Sequence, residues 1–116
     1  MSVYPSAVSR RFFMEQECRE KVVQAFDLGL VRELFPEEGR YQVIKDVVEK
    51  DLQHLIDTLV TSGRTQTVDC SDPFNMHDRS LVKVRRTGSD GIDVLFYRRV
   101  GKGTSKEIYG AHNSLS

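Results

Sequence analysis

Four side chains able to hold a metal or activate a nucleophile, Cys70, Asp72, His77 and Asp78, fall within nine residues of one another. A zinc site would need a Cys-x-x-Cys or His-x-x-x-His pair to aim two ligands at one ion, and the chain has neither. Cys70 with His77 has the elements of a thiolate–imidazole pair. Nearness in sequence does not bring a sulfur and a ring nitrogen within hydrogen-bond reach, however. The expectation is a polar loop over 71–78, with no catalytic residue, no metal and no cofactor. His54 borders the apolar stripe of a helix and reads as a boundary residue rather than an acid or base. The run Gly101-Lys-Gly-Thr-Ser-Lys106 follows a strand as a phosphate loop would, but the Gly-Lys-Ser/Thr order that wraps a nucleotide phosphate is missing.

The residues that could bind an anion lie in the C-terminal third. Residues 79–116 hold 8 Lys/Arg against 3 Asp/Glu, whereas residues 1–78 hold 9 against 14, so a chain of zero formal net charge is divided into segments of +5 and −5. Lys83, Arg85, Arg86, Tyr97, Arg98, Arg99, Lys102 and Lys106 are the candidate binding residues. Cations interleaved with a tyrosine can follow a phosphate backbone while the ring stacks on a base. The same distribution would let the two segments attract each other inside one fold.

These side chains need a scaffold to present them, and the hydrophobic pattern describes one. Val22, Phe26, Leu30 and Leu34 recur every fourth residue, with Val23 and Val31 widening the stripe, so a helix is expected from about Ser9. Gly29 places a kink or a split near Leu28, and Pro36-Glu-Glu-Gly39 ends the segment. Tyr41, Ile44, Val48, Leu52, Leu55 and Leu59, joined by Val47 and Ile56, make a second amphipathic helix over 41–62, with Gly63 as its C-cap. Beyond Gly63 the period falls to two. A short strand is expected over 65–70. Strands over 81–86 and 92–100 then form a hairpin around 87–91, with Val82, Val84, Ile92, Val94 and Phe96 on the packed face. The fold class is therefore α+β: two long helices, then an antiparallel sheet of about three strands. An N-terminal arm (1–8), one domain (9–110) and a flexible tail (111–116) complete the organisation.

Helices followed by a basic hairpin resemble a winged-helix domain, and that resemblance implies a recognition helix over 50–64 and a wing tip over 87–91. It is carried as the alternative architecture. A chain of 116 residues suits one core, and no apolar run approaches the roughly 20 residues that span a bilayer. The N-terminus has no secretory signal pattern. Two cysteines, Cys18 and Cys70, are too few for a disulfide framework and point to a reducing compartment, cytosolic or nuclear. Apolar positions beyond the main stripes (Val43, Val47, Ile56, Val60, Phe12, Phe13 and Met14) favour burial in a homodimer. The functional expectation is a small non-enzymatic protein that binds nucleic acid or an acidic partner through its hairpin. The alternative is an adaptor or inhibitor docking on a larger protein.

Overall fold

A computed structural model of the chain describes residues 7–88 and 91–114, with side chains described for 16–88 and 91–111. The first helix, α1 (Ala7–Asp27), takes in the last two residues of the expected N-terminal arm; residues 1–6 lie outside the described residues. Its inward face is Cys18, Val22 and Ala25, spaced by four and three, with Phe26 partly buried beside them. Gly29 adopts φ 77° and breaks the helix where its sequence predicts, and α2 (Leu30–Leu34) follows as a single short turn. The break also resets the helical phase. Val31 and Leu34 therefore point inward, whereas Leu30 and Val23 are exposed, although a continuous helix would have put Leu30 on the stripe.

The helix α3 (Glu38–Ser62) buries Tyr41, Ile44, Val48, Leu52, Leu55, Ile56 and Leu59 along one side, matching the periodic stripe. It ends at Gly63, whose φ of 72° turns its N–H back to the Leu59 carbonyl at 2.8 Å. Of the α3 positions invoked for self-association, Ile56 is buried in the core and Val47 packs against it, whereas Val43 and Val60 remain exposed on the outer side. The side chains of Phe12, Phe13 and Met14, also invoked for self-association, lie outside the described residues.

Four strands, β1 (Gln66–Asp69), β2 (Asp78–Thr87), β3 (Gly91–Val100) and β4 (Lys106–Ser114), pair in the order of the chain as an antiparallel meander. The fold is thus α+β, with one strand more than its sequence predicts. β4 occupies 111–114, the beginning of the segment expected as a tail; residues 115–116 lie outside the described residues. The helices cover one face of the sheet. That face carries Val82 opposite Phe96 and Val84 opposite Val94, with Ile92 and Ala111 completing the layer. Phe26 links the layers. Its ring meets Tyr41 of α3 at 5.5 Å and Phe96 of β3 at 5.9 Å, both edge to face.

The other sheet face holds Arg79, Leu81, Lys83, Arg85, Asp93, Leu95, Tyr97, Arg99, Glu107 and Tyr109, with no helix over it among the described residues. The β3–β4 pairing slips between Val94 and Leu95, so that Gly110 becomes the extra residue between Tyr109 and Ala111. No larger residue fits there, because a Cβ on Gly110 would stand 2.1 Å from the Phe96 ring.

Candidate functional site

Arg98 is the most constrained of the candidate cations, and it faces inward. Alternation along β3 puts it on the helix side of the sheet opposite Ser80, and it is 8% exposed. Its guanidinium donates to the Leu34 carbonyl at 3.1 Å and to both carboxylate oxygens of Glu37 at 2.6 and 3.2 Å. It also reaches Asp78 Oδ2 at 2.9 Å and lies over the Phe35 ring. Asp78 further accepts from the Ser80 hydroxyl at 2.8 Å, and Arg40 Nε approaches it to 3.4 Å, close in charge but not aligned as a hydrogen bond. Arg40 in turn donates to the Cys70 carbonyl.

Burial, the largest single influence, would raise the Asp78 carboxyl. Hydrogen bonds from Ser80 and Arg98, with the charges of Arg98 and Arg40, outweigh it and hold the group below the usual carboxylate range. Glu37 is lowered as well, chiefly by its hydrogen bond from Arg98. The cluster ties the end of α2, the start of α3, the loop before β2 and the end of β3 into one charge-balanced clamp. Arg98 belongs to that clamp and is not presented to a ligand.

Arg85 and Arg86, near the hairpin tip, are also engaged within the fold. Arg85 sits on the helix-free face, with Nε 3.3 Å from the buried carboxylate of Asp93 and a second nitrogen donating to the Tyr109 hydroxyl at 3.1 Å. Arg86 points to the helix side. Its Nη1 is 3.8 Å from where a Cβ of Gly63 would stand, beside the C-terminus of α3, where a cation opposes the negative end of the helix dipole. Arg86 has an interaction partner within the structure. The acidic segment 1–78 thus neutralises part of the basic hairpin, through Glu37 and Asp78 on Arg98.

The opposite end of the sheet differs. Arg79 on β2 and Arg99 on β3 are direct cross-strand partners, both exposed on the helix-free face. Like charges placed so are mutually unfavourable. Asp69 feels the charge of Arg79 but is held low chiefly by hydrogen bonds from Ser71, and Glu107, opposite Tyr97, lies diagonally from Arg99 on the same face. Lys102, exposed, lies in the turn that begins at Gly101, and Lys106, also exposed, opens β4. Lys83 and Tyr97 are half-buried on the same face, and the Tyr97 hydroxyl lies 2.8 Å from Ser105 Oγ. Tyr97, Arg99 and Lys102 therefore gather at this end, with Lys83 farther along, whereas Lys106 pairs with Arg98 and lies on the helix side, in a groove it shares with Glu33 and Glu37. Arg98, Arg85 and Arg86 do not join them.

Beside this patch the 71–77 loop lifts Phe74 and Met76 into solvent, 97% and 95% exposed. The loop is pinned. Asp72 Oδ1 accepts from the Phe74 N–H at 2.9 Å, Asn75 Oδ1 from the His77 N–H at 3.1 Å, and the His77 carbonyl from the Gly101 N–H at 2.7 Å. That last bond places the loop against the turn bearing Lys102. Cys70, Asp72, His77 and Asp78 do not converge, and among the described residues no group of three or more His, Cys, Asp or Glu could hold a metal. Arg79, Phe74 and Met76 were not among the sequence candidates. Arg79 gains its meaning only from the register with Arg99, and an aromatic residue inside a turn-forming segment carries no periodic signal.

Compared with protein-family models, with curated proteins and with solved structures, the chain matches none.

Proposed function

We propose that this is a non-enzymatic binding protein that holds the phosphate backbone of a nucleic acid on the end of its sheet where β2 begins and β3 ends. The observation that carries the reading is the cross-strand pair Arg79 and Arg99, exposed together on a face that no helix covers among the described residues. Two guanidiniums at cross-strand spacing repel each other until an anion lies between them. Arginine presents its donors in a fork that suits phosphate oxygens. Lys102 extends the cationic surface into the adjoining turn, and Tyr97 adds a ring beside it.

The reading is tested by fluorescence anisotropy with a labelled oligothymidylate and an unrelated RNA strand. Three to four phosphate contacts predict that log K falls with log salt at a slope of about −2 to −3, near 0.7 per contact. Exchanging Arg79 and Arg99 together for Glu abolishes binding, while exchanging Arg85 and Arg86 for Gln leaves most of it. Absence of any binding at low salt overturns the proposal.

A further inference from the structure

We infer that the 71–77 loop supplies the base-stacking platform of this site, so that the ligand is single-stranded nucleic acid with a base lying against Phe74. This rests on the binding function proposed above and identifies its ligand class. A phenylalanine 97% exposed forgoes the burial that ordinarily holds an aromatic ring inside a fold, and Met76 beside it does the same. Neither sits on a loose segment. The bonds from Asp72, Asn75 and Gly101 hold the loop in one shape, so little conformational freedom is lost when something covers the ring.

The surroundings say what covers it. Phe74 lies three residues from His77, within about 10 Å of chain, and His77 is bonded to the turn that carries Lys102. On the adjoining sheet face follow Arg79 with Arg99 and then Tyr97, two residues farther along β3. Aromatic and cationic groups thus share one end of the sheet. Such a combination fits a ligand that joins anionic phosphates to flat bases. An apolar pocket on a partner protein would be served by Phe74 and Met76 alone and would leave the arginine pair unused. A lipid surface would use the loop tip and the cations beside it and would leave the Tyr97 ring on the sheet idle. Base faces in a duplex are hidden in the stack, so the ring can reach a base only in an unpaired strand.

The chain contains no tryptophan, so the variant Phe74→Trp reports on this position alone. Titration of the full chain with oligothymidylate should quench its emission by at least half. Phe74→Ala should weaken binding on the order of 10-fold. Its salt slope should stay that of the parent chain, and a matching duplex should bind more weakly than the strand. The side chain touches so little of the fold that the thermal midpoint of Phe74→Ala should equal that of the parent. If the parent binds the strand but Phe74→Ala binds equally and the tryptophan is not quenched, the loop inference fails while the backbone-binding function stands. If the parent does not bind the strand at low salt, both fail. A blue shift of the tryptophan emission on adding phosphatidylserine vesicles, with no response to the strand, also overturns the inference.

Discussion

Replacing Arg98 with Ala should be among the most damaging substitutions outside the apolar core. The change removes four hydrogen bonds: one to the Leu34 carbonyl, two to Glu37 and one to Asp78. What matters is what stays behind. The Glu37 side chain is 56% exposed and regains water, so its share is a surface pair of under about 1 kcal/mol. The Asp78 side chain is 2% exposed and cannot be rehydrated. Breaking a buried pair from one side costs about 3–5 kcal/mol. Asp78 keeps the Ser80 hydroxyl and the charge of Arg40, which sets the expectation near the lower end, about 3 kcal/mol. At roughly 4 °C per kcal/mol for a chain of this size, the thermal midpoint should fall by roughly 12 °C.

The pH dependence has a definite sign. Asp78 and Glu37 are both held below their ordinary values in the fold, so their contribution is complete above the unfolded-state pKa, near 4, and is lost as pH falls through the lower folded values. Urea melts at pH 7 should therefore separate the parent from Arg98→Ala widely, and at pH 3 the gap should narrow. A midpoint within 2 °C of the parent, or a gap unchanged between pH 7 and pH 3, would refute the reasoning.

The bulge makes Gly110→Ala a packing test. The new methyl would meet the Phe96 ring, itself fully buried, and the resulting strain should cost about 1–3 kcal/mol in a denaturant melt. By contrast, Gly39→Ala near the start of α3 meets nothing within 4 Å and should leave the same melt unchanged or slightly improved; a Gly110→Ala chain as stable as the parent would contradict the pairing slip. Burial pushes the Cys70 thiol up to about 11, and Cys18 is fully buried. A chromogenic disulfide reagent at pH 8 should therefore find both thiols slow in the native chain and both fast in denaturant, and one fast thiol in the native chain would count against the fold around it.

Local patterning carries a good part of this protein. The recurrence by threes and fours from Tyr41 to Leu59 is enough to define α3, because a 3.6-residue period makes one face apolar wherever the helix is placed. The same holds for Gly29 and Gly63, where only the left-handed backbone of a break or a cap explains a glycine amid helical residues. The alternation of Val82, Val84, Ile92, Val94 and Phe96 likewise announces a hairpin with one packed side. β4 escaped that reading. Gly110 interrupts its alternation, and the interruption has a purpose only once Phe96 of the neighbouring strand lies across it.

The candidate site divides in the same way. Composition alone marks the C-terminal third as basic, since charge is counted without coordinates. Which of those charges can meet a ligand depends on partners far away in the chain. Arg98 is consumed by Glu37, 61 residues earlier, and by Asp78 across the sheet, whereas Arg79 acquires a neighbour in Arg99 only through strand register. Sequence determines residue type and local period, because these depend on neighbours a few positions away. Pairing between distant charges is set by how helices and strands are brought together, and here that assembly turned Arg98 inward and set Arg79 beside Arg99.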